Sequence, residues 1–219
     1  MINSNVRKLT LSGWLKKNSI TAFRSSLRFQ KFLFFYEAFS KVDGDSDADF
    51  SGLKGYKNGP VFSTVWGDYT KESCAFEWEA DECFEENSEK VNNDRALQCV
   101  FIVMTLSESE LSALTHVMNI WKSQEELINK GILQVPLHEA DFNQNDFEII
   151  RSLQVMYPVS LINSSKIIPI DNIYFVINEN KFQELNEEHF DVLSSLVKNE
   201  KLHNPVFIDI DESGCLVID

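Results

Sequence analysis

The sequence lacks the cysteine and glycine patterns that mark many metal, redox and nucleotide sites. Its cysteines show neither CxxC spacing nor a compact disulfide framework, and no P-loop, dinucleotide fingerprint or zinc spacing is present. We therefore expect no metal site, no cofactor and no enzymatic activity. Widely spaced cysteines also favour reduced thiols, as in the cytoplasm. They are Cys74, Cys83, Cys99 and Cys215.

Long apolar runs are also missing. The first residues, VRKLTLSGWLKKN at 6–18 among them, are interrupted by charges and do not resemble a secretory signal. The helix expected around 27–41 would be about 18 residues long and carries several charges, so it does not predict a membrane span. We expect a cytoplasmic protein with no membrane partner.

Positive charge is scarce, with 20 Lys and Arg against 34 Asp and Glu and a formal net charge of −14. This balance argues against a general nucleic-acid binder, because contacts to phosphates need clustered Lys and Arg. An acidic protein is better suited to a partner with a basic surface. DNA binding for autoregulation stays an alternative, because basic residues gather near the start of the chain, at Arg7, Lys8, Lys16 and Lys17.

Aromatic residues are abundant, and they are concentrated in one stretch. The chain has 17 Phe and is 43% hydrophobic, enough for a sizeable core. On a helical wheel, LRFQKFLFFY at 27–36 is apolar on two opposite sides, with narrow polar strips between them. A helix of this kind belongs inside a bundle. Ser25 or Ser26 is placed to cap its first turn.

Several further segments carry helical patterns. Ser107 with Glu110 is a capping-box pair, and Gly131 is a stop signal, so we expect one helix between them. The apolar segment 96–104 fits a helix or a strand equally well. The other expected helices begin near Val6, at Pro60, where proline suits a first turn, and near Asn143.

The residue composition changes in the last third of the chain. Residues 166–182 are rich in β-branched and aromatic side chains and predict strands. A helix with Leu185, Phe190, Leu193 and Val197 facing inward follows. The last residues predict a β-hairpin that turns at 212–214.

These patterns together predict an α+β fold. We expect a mainly α-helical bundle domain at 1–140, followed by a small mixed α/β extension with a terminal β-hairpin at 141–219. No internal repeat or low-complexity tract divides the chain further.

One polar loop imitates a calcium site. Asp43, Asp45 and Asp47 occupy ligand positions 1, 3 and 5 of an EF-hand loop. The required glycine is replaced by Ala48, however, and the required glutamate by Lys54. We therefore expect no calcium there.

Acidic residues dominate 72–94, where apolar residues at intervals keep one side of a helix buried. Such a face is either simply solvated or an acidic surface that meets a basic partner. On the second interpretation, the residues expected to contact the partner are Glu77, Asp81, Glu82 and Glu85.

Three segments in this order resemble the Panacea family, also called SocA-like domains. They are LRFQKFLFFYEAF, FSGLKGYKNGPVFSTVWGDY and LSALTHVMNIW, and the resemblance covers about 5–135. The acidic stretch is longer than the family pattern, and the region beyond 141 has no counterpart in it. The motif positions are Gln30, Lys31, Tyr36, Gly59, Pro60, Val61, Thr115, His116 and Trp121.

The resemblance implies a mostly helical antitoxin domain that binds and neutralises a toxin protein encoded beside it. Its acidic helix would cover a basic substrate-binding surface of the toxin. Two alternatives within binding proteins are a phage- or prophage-borne anti-defence inhibitor and an adaptor that delivers a partner to a protease.

An alternative from another class is an enzyme. Its site would lie between the turn at 59–61 and His116, with Glu108 or Glu110 orienting the imidazole. A cleft that joins these groups would favour this alternative.

Overall fold

The computed structural model describes residues 1–218 and confirms the predicted α+β class. Thirteen α-helices and two small sheets lie within these residues. The helices are α1 Val6–Asn18, α2 Ile20–Arg24, α3 Ser26–Asp43, α4 Ser63–Lys71, α5 Ser73–Asn87, α6 Asn93–Thr105, α7 Glu108–His116, α8 Asn119–Lys122, α9 Glu125–Asn129, α10 Gln144–Met156, α11 Val159–Asn163, α12 Glu179–Phe182 and α13 Glu187–Asn199.

The strands form one sheet in each part of the chain. The first sheet has the order β2-β1-β3, and the second has the order β4-β5-β6-β7. The strands are β1 Leu53–Tyr56, β2 Gly59–Phe62, β3 Val135–Pro136, β4 Ser165–Ile170, β5 Ile173–Asn178, β6 Val206–Ile210 and β7 Leu216–Ile218.

Helix α3 is the centre of the bundle, as its two apolar sides predict. All of its residues from Arg28 to Ser40 are buried. The Ser25 side chain accepts a hydrogen bond from the Arg28 backbone N–H and so caps the helix. Gly44 ends it in the left-handed conformation, at φ 82°.

Helix α5 crosses α1 at very short range. A Cβ atom placed on Gly13 of α1 would lie 2.2 Å from the Ala80 carbonyl oxygen and 2.6 Å from Phe84 Cβ. Since real side chains do not approach so closely, only glycine allows this crossing. The contact fixes the buried side of α5 and leaves its acidic side outward.

The prediction that a helix begins at Pro60 is wrong. Residues 59–62 instead form strand β2, which pairs with β1, and the helix α4 begins only at Ser63. Proline is tolerated in β2 because this is an edge strand. The strand is held extended partly by Gln30 Oε1, which accepts a 2.9 Å hydrogen bond from the Phe62 N–H.

The single helix expected from Ser107 to Gly131 is also wrong, although its start is right. The capping box of Ser107 and Glu110 is present, but the segment forms three short helices, α7 to α9. The first break lies at Met118, where the Asp146 carboxylate accepts hydrogen bonds from the N–H groups of Asn119, at 2.5 Å, and Ile120, at 2.9 Å. A distant residue therefore starts a new helix at this point.

The last part of the chain joins helices to a mixed sheet. Strands β5 and β6 run parallel, with α13 between them in sequence, and β6 and β7 form the predicted terminal hairpin. Leu193 of α13 is buried, but Phe190 is 37% exposed, so its predicted inward position is wrong. The segment 96–104, left open by its pattern, is helical and lies within α6.

The core of the bundle also takes in residues beyond 140, as far as Val176 of β5. Ile150, Leu153 and Tyr157, in and just after α10, belong to the same core as α3. A second core begins at Ile168 and includes Leu193. The helix that the sequence placed in the extension therefore packs as part of the bundle.

A helix that crosses a membrane by itself must be both long enough and apolar enough. No helix within 1–218 meets both requirements by itself, and one bent pair, α6 with α7, meets them only when its two helices are taken together.

Candidate functional site

Most of the residues selected by the resemblance converge on the β1–β2 hairpin. The Lys31 ammonium of α3 donates to the Asn58 carbonyl at 2.7 Å and to Thr115 Oγ1 at 2.8 Å. One lysine therefore joins the central helix, the hairpin turn and α7. These three segments are far apart in sequence, so the fold brings together the motif positions that the resemblance selected.

Gly59 is the residue that lets the hairpin approach Lys31. Its φ is 107°, and a Cβ atom there would lie 2.0 Å from Lys31 Nζ and 2.5 Å from Thr115 Oγ1. Both the backbone conformation and the lack of space require glycine. The next motif residues, Pro60 and Val61, continue into strand β2.

His116 and Trp121 form a stacked pair beside this hairpin. Their ring centroids are 3.8 Å apart, with the planes inclined by 14°. The Trp121 indole N–H donates to the Tyr56 carbonyl at 3.1 Å. Burial, followed by the nearby Lys31 charge, lowers the pKa of His116. The imidazole therefore favours its neutral form.

The carboxylates of the enzyme alternative do not orient His116. Glu108 accepts a hydrogen bond from the Ser25 hydroxyl, and Glu110 is held by Ser107 and Asn204. These contacts direct both carboxylates to other partners. The arrangement required for an imidazole–carboxylate pair is therefore not formed by these residues.

Tyr36 is a motif residue with a separate structural position. Its hydroxyl accepts a 2.9 Å hydrogen bond from the Asn92 N–H, and the guanidinium groups of Arg7 and Arg95 lie over its ring. Burial raises the pKa of this phenol. Tyr36 thus ties α3 to the start of α6, away from the hairpin.

A pocket of about 260 Å³ lies where α3 meets the hairpin and α4. Two buried polar side chains, Gln30 and Lys31, form part of its wall. The rest of the wall is mainly apolar and aromatic, with one exposed lysine. These other residues are Ser26, Leu27, Tyr56, Lys57, Asn58, Pro60, Val61 and Trp66.

The acids predicted to contact a partner all lie on α5, but some of them are already paired with basic residues of the same chain. Glu77 is paired with Arg24 and Lys16 of its own chain, and Asp81 also accepts from Lys16, at 2.7 Å. Although burial opposes it, hydrogen bonds from Arg24 and Lys16 lower the pKa of Glu77. Glu77 therefore helps to dock α5 on the bundle.

Glu82 and Glu85 are exposed, and they share a face of α5 with an unpredicted residue, Trp78. The Trp78 side chain is 60% exposed. Because residues three, four and seven positions apart lie on one side of a helix, Asp81, Glu82 and Glu85 surround this indole. We call Trp78, Asp81, Glu82 and Glu85 the acidic face.

The basic residues considered for DNA binding are occupied within the chain. Arg7 and Lys8 both pair with the fully buried Glu37. Lys16 pairs with α5, as described above, and the Lys17 ammonium lies 5.3 Å from the centre of the Phe84 ring. These contacts leave no continuous basic surface from these four residues.

The loop that imitates a calcium site has protein partners instead. Arg95 pairs with Asp43 and Asp45, and Arg7 pairs with Asp47. Across residues 1–218, no group of three or more His, Cys, Asp or Glu side chains is placed to hold a metal ion.

Comparisons with known proteins give no relative for this chain. It matches no family model, no curated protein and no solved structure.

Three residues important for these sites were not predicted from the sequence. Trp78 is one of the apolar residues that the sequence places on the buried side of the acidic helix, and Glu37 lies in one of the polar strips of the central helix. Asp146 was not singled out. The four-residue spacing from Trp78 to Glu82 was the one signal that this indole shares a face with an acid. The contacts of Glu37 and Asp146 join distant segments, so no local pattern predicted them.

Proposed function

We propose that this chain is an antitoxin-like protein, which neutralises a toxin encoded beside it by direct binding. Two lines of reasoning support the proposal. Most of the motif residues that suggested the family resemblance gather at one place in the fold, and α5 presents an acidic surface suited to a basic protein. The chain would act in the cytoplasm, where its unpaired thiols stay reduced.

The exposed indole of Trp78 is the observation that carries this proposal. A large aromatic side chain surrounded by charges costs free energy when left in water, and tryptophan is enriched among residues that dominate binding energy. Three acidic side chains around it would direct a positively charged partner to the same place. A merely solvated helix face has no need of this tryptophan.

Neutralisation would occur by occlusion. Toxins that act on RNA or nucleotides need basic residues to hold phosphates, and carboxylates can occupy those positions. Glu82 and Glu85 have no ion pair within residues 1–218, so both are available for such contacts. Trp78 would then supply the apolar centre of the interface.

The test is expression of the chain together with each reading frame that lies beside its gene. A toxic neighbour should arrest growth when expressed alone, and the chain should relieve the arrest and purify with it. Trp78→Ser combined with Glu82→Lys and Glu85→Lys should abolish both effects, because it removes the indole and reverses two charges.

A matched control separates this surface from overall charge. Glu187→Lys with Glu188→Lys reverses two exposed acids on α13, at the same change in net charge. The control should protect cells as well as the natural chain does. Equal protection by the α5 variant, or equal failure of both variants, would overturn the assignment to the acidic face.

A further inference from the structure

Lys31 is a buried cation with no buried anion beside it. Its side chain is 2% exposed, yet no carboxylate within residues 1–218 lies close enough to form an ion pair. The two hydrogen bonds of its ammonium go to neutral oxygens, those of Asn58 and Thr115. In its protonated form Lys31 has three N–H donors, so one is left over for a ligand. Burial accordingly lowers the pKa of Lys31 well below its usual range.

Gln30, the neighbouring residue, has an unused donor group. Its Oε1 accepts from the Phe62 N–H, and because a backbone N–H can only donate, the amide orientation is fixed by chemistry. The Nε2 atom is buried and has no hydrogen-bond partner among the described residues. A buried polar group without a partner costs about 1–3 kcal/mol, so it is seldom kept without a reason.

Both side chains form the wall of the same pocket of about 260 Å³. The remaining wall is apolar where Leu27, Pro60 and Trp66 contribute, and exposed Lys57 adds a second positive charge. The pocket is smaller than the usual 300–1,000 Å³ of sites for drug-sized molecules. It therefore suits a compact occupant with an anionic end and an apolar body.

We propose that this pocket binds a carboxylate attached to an apolar or aromatic group, with Lys31 and Gln30 donating to the carboxylate oxygens and Trp66 contacting the apolar group. The occupant can be a free organic acid or the C-terminal carboxylate of a polypeptide, since both present the same chemistry. The proposal does not depend on the acidic face of α5 or on the antitoxin-like function.

The test is an NMR titration of the full chain with phenylacetate and with its neutral analogue, phenylacetamide. The indole N–H signal of Trp66 should move on adding phenylacetate, while those of Trp14 and Trp78, which are not in the pocket wall, should stay in place. Because the charge supplies much of the recognition, we expect phenylacetate to bind at least about tenfold more tightly than the amide.

Two variants test the donors separately. Lys31→Met removes the ammonium and keeps the length of the side chain. Gln30→Glu keeps the acceptor for the Phe62 N–H but places a carboxylate beside Lys31, where it competes with the ligand. Each should weaken phenylacetate binding at least about tenfold. Lys54→Met is the matched control, because Lys54 is on the same hairpin but outside the pocket wall, and it should leave binding unchanged.

The two sources of the carboxylate are distinguished with a short peptide that ends in Phe, in its acid and amide forms. Tighter binding of the peptide acid than of phenylacetate assigns the pocket to a chain terminus, and the reverse order assigns it to a small acid. Absence of any Trp66 shift at about 10 mM ligand, equal binding of phenylacetamide, or unchanged binding to a folded Gln30→Glu variant would overturn the proposal.

Discussion

The side chain of Lys31 determines how three segments of the chain pack together. It lies on the central helix, joins the hairpin to α7, and forces glycine at position 59. Burial of its ammonium without a carboxylate partner is unfavourable, and the fold offsets this cost elsewhere. Such a residue is usually kept for contacts that a neutral side chain cannot make.

The lowered pKa of Lys31 makes stability depend on pH in a known direction. Above its lowered pKa, the folded chain without a bound carboxylate carries no proton at Lys31, whereas the unfolded chain keeps one up to the usual value of 10.5. A carboxylate in the pocket would favour the ammonium form. Since the unfolded state then binds more protons, the free energy of unfolding rises with pH, by up to about 1.4 kcal/mol per pH unit.

Lys31→Met should therefore remove this part of the pH dependence. We expect the free energy of unfolding of the natural chain to gain on that of the variant as the pH rises from the lowered pKa of Lys31 towards 10.5. Urea denaturation of both proteins at several pH values measures the difference. Parallel curves would mean that Lys31 titrates as an ordinary exposed lysine does.

The sequence identified the residues of this site better than it identified the contacts between them. The resemblance selects Gln30, Lys31, Gly59 and Thr115, and the fold brings the last three into contact. The burial of Lys31 was harder to predict, because lysine is mostly exposed and its partners come from two distant segments. Glu37 was missed for the same reason, since Arg7 and Lys8 lie about thirty residues earlier.

At the scale of elements, the crossing of α1 and α5 positions the acidic face. Gly13 allows the two helices to touch at the Ala80 carbonyl. Lys16 and Arg24 then pair with Glu77 and Asp81, so the same edge of α5 is held by charge. Trp78, Glu82 and Glu85, which lie beside this edge, have no such pairing and stay exposed.

Gly13→Ala should destabilise the protein by about 1–3 kcal/mol, because the added methyl group would force α5 away from α1. Gly67→Ala is the matched control, since Gly67 is also helical and has open space around its missing Cβ. That change should stabilise the protein by about 0.4–1 kcal/mol. Thermal or urea unfolding measures both, and equal effects would show that the crossing is not tightly packed.

Helix boundaries were predictable wherever the signal was local. Ser25 caps α3, and Ser107 with Glu110 starts α7, as their positions in sequence predict. The breaks after α7 were not predictable, because Asp146 acts on Asn119 from a different part of the chain. The helix predicted to begin at Pro60 was wrong for a related reason, because pairing with β1 makes this segment a strand.

At the scale of the whole molecule, the second core is tied to the bundle by polar contacts and by Val176 of β5, which is buried in the core of the bundle. Arg28 of α3 donates to the Tyr174 hydroxyl at 2.6 Å, and Asn204 donates to Glu110 of α7 at 2.8 Å. The change in residue composition along the sequence was enough to predict the fold class. It did not predict where α10 packs, because the apolar side of this helix fits either core and only packing decides between them.

The two candidate sites of the molecule are made of different residues and differ in chemistry. The pocket combines buried donors with apolar walls, whereas the acidic face is an exposed indole among carboxylates. Partner binding is the main function proposed for the molecule, and electrostatic attraction to α5 is its physical basis. Attraction of this kind speeds association and weakens as salt is added.

The most direct test is the association rate constant between the purified chain and the toxic product of a neighbouring gene, measured at about 50 mM and about 500 mM salt. The natural chain should associate at least about tenfold faster at the lower salt than a Glu82→Lys, Glu85→Lys variant, and only the natural chain should slow strongly as salt is added. Equal rate constants and equal salt dependence for the two proteins would contradict binding through the acidic face.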